Sequence, residues 1–202
     1  MNDTESPSAI IEEQRGHARW IDQHLAREFP VDRRSHVALA CFDLAIEHHA
    51  AMCVLASASL FGSLYALIRV QFEAYARGLW VLHVASDEQL AAFEGDKLDL
   101  PIGELLKLVE SAIGATASPL SKLKTSHWSM FCSFTHTGFQ ALLRRVNEGR
   151  TGVENYRPEE VTSALRLAGS FALLAAAALA GISGDAALID QTLARVREYA
   201  QR

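Results

Sequence analysis

The sequence predicts an all-α protein, built as a single-domain bundle of about seven to eight helices. Half of its 202 residues are hydrophobic, alanine and leucine dominate, and only five residues are proline. This composition favours helices, because alanine and leucine have high helix propensity while proline interrupts helices. No stretch alternates between apolar and polar residues for more than a few positions. A chain of this length is expected to form one domain over residues 9–202, after a disordered tail over residues 1–8.

The first four helices are bounded by capping residues and by proline. Ser8 is a plausible N-cap for a helix to Phe29 that Pro30 ends, and Asp32 can cap a second helix to about residue 56. The third helix, residues 60–84, is apolar nearly all round, extends for about seven turns and should be mostly buried. A short fourth helix over residues 87–93 starts at Ser86 or Asp87.

The second half of the chain contains four further predicted helices. Pro101 and Pro158 fit the first turn of two of them, because proline lacks the backbone N–H that is unpaired there. Gly181 and Gly184 separate the last two helices. These four helices are predicted over residues 101–115, 125–147, 158–180 and 186–199.

Three charged residues on the third helix are the main candidates for a functional site. Arg69, Glu73 and Arg77 are spaced by four, so they fall on one stripe of the helix. Buried charges must be paired or must line a wet cleft, and Asp43 and Glu47 are expected second partners from the neighbouring helix. The stripe predicts either an internal ion-pair network that fixes helix register or an anion site built from guanidinium groups.

The predicted helix over residues 125–147 carries a second candidate site. Along one polar stripe His136 is surrounded by hydroxyl and amide side chains, with Arg144 two turns later. Histidine titrates near neutral pH, so His136 is the better candidate for proton transfer, although a solvated face would show the same stripe. The basic loop that follows adds Tyr156, whose ring is able to stack on a base.

Several functional classes are disfavoured. The net charge of −5 argues against a general nucleic-acid binder, and HExxH, P-loop, GxGxxG and GxSxG motifs are absent, so neither a metal nor a cofactor is expected. The three cysteines have no CxxC spacing and are predicted to be buried thiols in a reducing compartment. The N-terminus lacks the pattern of a signal peptide, and the uncharged segment 167–182 is shorter than a bilayer requires. A cytoplasmic protein without membrane contact is expected.

The runs HH at 48–49, RVQFEAYARGLW at 69–80 and HW…THTGFQ…RR within 127–145 resemble a bacterial helical family of unknown function. This family is similar to a branch of the HEPN-like superfamily, and the resemblance spans about residues 30–185. It implies an all-α homodimer, since many HEPN relatives are dimeric ribonucleases, toxins or phage-defence proteins that use an arginine and a histidine four to six residues apart. The pairs Arg19…His24 and Arg77…His83 have this spacing, and the second lies on the third helix.

Three functions remain open. In the first, the chain cleaves RNA without a metal in a cleft between the third helix and the helix that carries His136. Arg69 and Arg77 hold phosphate there, Glu73 orients them, and His136 or His83 takes the proton from a ribose hydroxyl. In the second, the same residues form the internal network of a non-catalytic binding or dimerisation module. A pocket for a small anionic ligand, bound by the same arginines, is a third possibility.

Overall fold

The computed structural model describes residues 7–29, 32–147, 149–151 and 155–201. Within these residues the chain is an all-α bundle of nine helices, which confirms the predicted fold class. The first five helices are α1 (Pro7–Leu25), α2 (Arg33–Ser57), α3 (Phe61–His83), α4 (Asp87–Glu94) and α5 (Ile102–Ala112). The last four are α6 (Pro119–Thr135), α7 (Phe139–Leu143), α8 (Pro158–Ser183) and α9 (Ala186–Ala200). An antiparallel pair of two-residue strands, β1 (Val146–Asn147) and β2 (Arg150–Thr151), lies between α7 and α8.

Most helices begin where their capping residues predict. Asp32 caps α2 by accepting a hydrogen bond from the backbone of Ser35 at 2.8 Å, and Ser86 caps α4 in a reciprocal capping box with Gln89. Gly184, in the left-handed region at φ 68°, ends α8. α1 ends at Leu25 rather than Phe29, and the predicted terminator Pro30 lies outside the described residues. Of the predicted tail, residues 1–6 also lie outside them.

The predicted single helix over residues 125–147 is wrong, because the chain breaks after Thr135. His136 follows the end of α6, Thr137 adopts a left-handed conformation at φ 56°, and Gly138 starts α7. A side chain at position 138 would place its Cβ 2.6 Å from the hydroxyl of Ser133, so only glycine fits. That hydroxyl accepts a hydrogen bond from the backbone of Gln140, which caps the new helix. The polar stripe predicted around His136 is therefore interrupted at His136 itself.

α3 is the central helix, because it packs against α2, α5, α6 and α8. Its buried residues join two adjacent hydrophobic clusters, one centred on Trp80 and Phe72 and the other on Ile68 and Leu64. Gly78 allows the closest approach of α2 to α3, since a Cβ there would lie 2.6 Å from the ring of Phe42. The prediction that the third helix is mostly buried is thus confirmed.

Two helices, α2 and α8, are long and apolar enough to cross a membrane by length and composition alone. The bundle buries 56% of the apolar window of α8 and 33% of that of α2. Buried core helices of soluble proteins have the same length and composition, so this pattern carries little weight on its own. In this fold α8 packs against α1, α2, α3 and α9, and its alanine-rich sequence allows those close contacts.

Candidate functional site

The charged stripe on α3 forms as the sequence predicts. Nε of Arg69 donates to one carboxylate oxygen of Glu73 at 2.7 Å, and Arg77 donates to the other at 3.4 Å. The side chains of Arg69 and Glu73 are each 19% exposed, whereas that of Arg77 is 43% exposed. Glu73 therefore clamps both arginines, and the stripe lies at the edge of the core rather than sealed inside it.

The predicted second partners of the arginines do not reach them. Asp43 and Glu47 are both exposed, and among the described residues neither forms an ion pair with Arg69 or Arg77. The reason is the orientation of α2, which turns the face containing Phe42 and other apolar residues towards the core.

Helix α6 supplies the rest of the cluster around Arg69. Trp128, Cys132 and His136 follow one another at spacings of four, which brings all three to the same side of the chain. The guanidinium carbon of Arg69 lies 4.7 Å from the ring centre of Trp128, and its NH1 group donates to Sγ of Cys132 at 3.6 Å. The same NH1 group donates to Nε2 of His136. We call Arg69, Glu73, Arg77, Cys132 and His136 the arginine–histidine cluster.

The contact with Arg69 determines which ring nitrogen of His136 accepts a hydrogen bond. An arginine has only donors, so Nε2 of His136 must be the unprotonated nitrogen that accepts, and the proton of a neutral ring then lies on Nδ1. His136 is exposed, and it sits at the turn between α6 and α7 rather than within a helix. An exposed imidazole in contact with a fixed cation is chemically suited to bind an anion and to exchange a proton with it.

The other candidate histidine, His83, lies away from this cluster. It is the exposed last residue of α3, about 21 Å along the helix axis from Arg69 at the usual rise per residue. His83 and His136 therefore cannot act on the same phosphate group.

Arg144 and Tyr156, predicted as substrate-binding residues, lie together at the far side of α6. Two nitrogens of Arg144 donate to the two carboxylate oxygens of Glu160 at 2.8 and 3.0 Å, and its guanidinium lies 5.4 Å from the ring centre of Tyr156. The hydrogen bonds from Arg144 lower the pKa of Glu160 to about 2. Tyr156 in turn stacks on Tyr65 of α3, with ring centres 5.3 Å apart. These contacts fasten the segment before α8 to the core.

The sequence interpretation missed a buried polar network between α1, α2 and α9. Gln14 is completely buried, donates to the hydroxyl of Tyr199 at 2.9 Å and accepts from Nε2 of His49 at 3.0 Å. Burial lowers the pKa of His49 to about 4, so this ring is neutral near pH 7. The available signal for this network in the sequence is Gln14 itself, a single polar residue on an otherwise apolar stripe of the first helix.

The three cysteines are free thiols. Cys53 is buried as predicted, whereas Cys41 and Cys132 are only partly buried. Burial raises the pKa of Cys41 and of Cys53 to about 11, so both remain protonated at neutral pH. Among the described residues, no group of three or more histidine, cysteine, aspartate or glutamate side chains is arranged to hold a metal ion.

The chain matches the profile of a known protein family. The profile of DUF6988, described as a family of unknown function, matches residues 42–202. Searches of curated proteins and of solved structures returned no match. The matched region contains the arginine–histidine cluster and every helix from α3 to α9. Because the match covers most of the chain, the protein belongs to the DUF6988 family.

Proposed function

We propose that this protein is an HEPN-like ribonuclease of the kind found in toxin or phage-defence systems, and that the arginine–histidine cluster is its active site. The observation that carries the proposal is the contact between Arg69 and the exposed ring of His136. RNA cleavage requires a group that binds the phosphate beside a group that accepts the proton of the 2′-hydroxyl, and these two side chains supply both.

The proposed reaction uses only these side chains. Arg69 and Arg77 bind the negatively charged phosphate, while Glu73 holds their guanidinium groups in position. When the phosphate replaces His136 as the partner of the Arg69 NH1 group, Nε2 of His136 is free to accept the proton of the ribose 2′-hydroxyl, whose oxygen forms a bond to phosphorus. The bond from phosphorus to the 5′-oxygen breaks, and that oxygen takes a proton from water. The products are a 2′,3′-cyclic phosphate and a 5′-hydroxyl end, and the charge of the phosphate is balanced by arginine rather than by a metal.

The proposal extends to the setting of the protein. The resemblance to HEPN proteins implies a homodimer in the cytoplasm, with RNA as substrate and without membrane contact. Exposed apolar side chains next to His136 support a second copy as partner, because α7 and β1 leave Phe139 73%, Leu143 56% and Val146 51% exposed. If the dimer interface covered α7, the arginine–histidine clusters of the two copies would both lie near that interface.

The test is cleavage of a labelled RNA pool in the presence of EDTA. Wild type should produce 2′,3′-cyclic phosphate ends, and His136→Ala should reduce the rate about 10²–10⁴-fold, as expected for loss of a general base. His36→Ala removes an exposed histidine from α2 and is the matched control, which should cleave normally. His83→Ala decides between the two candidate bases. If only His83→Ala loses cleavage, the active site lies at His83 rather than at His136. If wild type does not cleave RNA, the ribonuclease proposal is rejected.

A non-catalytic binding or dimerisation module is the second candidate, and the pairing of the arginines favours it. Glu73 already binds both Arg69 and Arg77, and two of the three side chains are four-fifths buried. In that case wild type cleaves no RNA, and Arg69→Ala lowers the melting temperature strongly because it leaves Glu73 without its shortest partner. Titration with inorganic phosphate separates this module from a small-anion pocket, since only an anion site that Arg69 completes would bind phosphate and lose it in Arg69→Gln. Cleavage of RNA by wild type then separates the ribonuclease from the anion pocket.

A further inference from the structure

A groove on the other side of α6 is independent of the arginine–histidine cluster. α6 and α8 both pack against α3, and a cavity of about 540 Å³ separates the two helices. Ligand sites in proteins usually have volumes of about 300–1,000 Å³. The helix positions from Leu123 to Phe134 that line it imply a length of roughly 16 Å, so the groove suits an elongated molecule.

The walls of this α6–α8 groove are apolar and partly aromatic. Tyr65 and Ile68 of α3 form the floor, Phe131 and Phe134 of α6 form one wall, and Leu167 belongs to the wall from α8. Tyr65 and Phe134 stack with ring centres 4.9 Å apart, which keeps the floor rigid. The body of a ligand here must therefore be hydrocarbon or aromatic.

Charged groups gather at one end of the groove, where α8 begins. Glu160 needs no ligand, because it accepts two hydrogen bonds from Arg144 and one from the backbone of Arg157 at 3.1 Å. The side chain of Arg157 also donates to Glu160 at 3.1 Å, but it is 69% exposed. If Arg157 turned to a ligand, Glu160 would keep its bonds to Arg144. Arg157 is thus the cation that can bind a ligand without leaving a buried charge unpaired.

The side-chain charges at this end balance, since two arginines face two glutamates, and Arg157 is the cation whose ion pairs a ligand is able to replace. Nε of Arg157 also lies 3.6 Å from a carboxylate oxygen of Glu159. Because the two side chains are 69% and 59% exposed, solvent screens this ion pair and a ligand carboxylate is able to replace it. The positive end of the α8 dipole lies at the same place, since the helix begins at Pro158 and continues for 26 residues. At the opposite part of the groove His127 is exposed and adds no negative charge.

We propose that the α6–α8 groove binds an elongated amphipathic carboxylate, with its hydrocarbon chain between α6 and α8 and its carboxylate on Arg157. The proposal does not depend on the ribonuclease, because none of the lining residues belongs to the arginine–histidine cluster. The guanidinium of Arg157 forms paired hydrogen bonds with the carboxylate, and the apolar walls remove the chain from water.

The test compares three probes with the same tail by isothermal titration calorimetry: decanoate, decanol and decyltrimethylammonium. Decanoate should bind most tightly. Arg157→Gln should weaken decanoate about tenfold while leaving decanol unchanged, because only the charged head contacts Arg157. Arg197→Gln removes an exposed arginine from α9 and serves as its control.

A second pair of variants tests the location. Ser163 lines the groove and is exposed, so Ser163→Trp fills the groove without entering the core and should abolish decanoate binding. Ser126→Trp places the same side chain on an exposed position of α6 that does not line the groove, and it should bind normally. The proposal is overturned if decanoate does not bind, if Ser163→Trp leaves its affinity unchanged, or if the three head groups bind equally or the ammonium binds best.

Discussion

Arg69 contacts four side chains, one from α3 and three from α6 and its C-terminal end, and its role depends on which of these contacts it keeps when another molecule binds. Its Nε is bound to Glu73, while its NH1 group contacts Cys132 and His136 and its flat face lies on Trp128. The bond to Glu73 fixes the guanidinium plane, and the contact with His136 is the one that an incoming phosphate is able to replace. Phosphate binding requires a cation that is held in position and that can exchange one of its present contacts for the phosphate.

Removing the charge of Glu73 should destabilise the fold. Glu73→Gln leaves two arginines without their carboxylate at a site that is four-fifths buried, and we expect a loss of about 1–3 kcal/mol in the free energy of unfolding. The comparison is Glu12→Gln, which breaks an ion pair with Arg19 whose side chains are 62% and 59% exposed. That change should cost less than about 1 kcal/mol. Urea denaturation measures both losses of stability. Equal losses would show that the ion pairs of Glu73 contribute no more to stability than the exposed ion pair of Glu12 does.

His49 should make the protein sensitive to mild acid. Burial, and then the charge of His17, lowers the pKa of His49 from 6.5 to about 4. The unfolded chain therefore binds a proton between about pH 6.5 and pH 4 that the folded chain does not, so the free energy of unfolding falls as the pH falls through this window. The substitution His49→Gln keeps a donor for Gln14 but does not titrate.

The measurement for His49 is the urea midpoint as a function of pH. Wild type should lose stability between pH 6.5 and pH 4 more steeply than His49→Gln, and the two curves should run parallel above pH 7. Parallel curves over the whole range would contradict the assignment of a neutral, buried His49.

At the scale of the elements, the order of the helices and most of their starts follow from the sequence because they depend on local signals. Asp32, Ser86, Pro101 and Pro158 all mark helix starts within a residue or two of the observed ones. The break after Thr135 was missed because a glycine within a helical pattern is ambiguous. The helix breaks there because Gly138 packs against Ser133, whose hydroxyl caps α7. The hydrophobic periodicity of the sequence does not reveal such a contact.

The close packing of α2 on α3 predicts a strong effect of one methyl group. In Gly78→Ala the new Cβ would lie 2.6–2.9 Å from three atoms of the Phe42 ring, which is completely buried. We expect a loss of about 1–3 kcal/mol, because a packed core has no room for the added group. Gly16→Ala in α1 is the control, since nothing lies within 4 Å of its new Cβ and alanine favours the helix. Thermal denaturation should show a lower midpoint for the first variant and an unchanged or higher one for the second.

The candidate site was predicted only in part, for a reason that applies to every long-range contact. The spacing of Arg69, Glu73 and Arg77 places them on one face by helix geometry alone, whereas the approach of α6 depends on the packing of the whole bundle. The ribonuclease hypothesis expected Arg69 and His136 in one cleft, between the third helix and the helix that carries His136, but spacing alone does not determine a contact across 67 positions. The same limit explains why Asp43 and Glu47 are expected near the arginines from the sequence, and why the buried contact between Gln14 and His49 is not.

At the scale of the molecule, the exposed apolar residues of α7 predict self-association. Size-exclusion chromatography with light scattering should give a dimer for wild type and a monomer for Leu143→Asp, because the substitution places a charge in the proposed interface. Leu143 is 56% exposed in the single chain, so the monomeric Leu143→Asp variant should keep the same melting behaviour. Ile113→Asp changes another exposed apolar residue, 45% accessible at the end of α5, and should leave the dimer intact. A monomeric wild type would reject the dimer.

The two candidate sites share a single helix. Trp128 and Cys132 on one side of α6, and His136 just after its end, contact Arg69. Phe131 and Phe134 on the other side of the helix line the groove. A molecule that pushes α6 away from α8 would also move His136 relative to Arg69, so the affinities at the two sites become thermodynamically linked. By reciprocity, whatever factor groove occupancy imposes on phosphate binding, phosphate must impose on the groove.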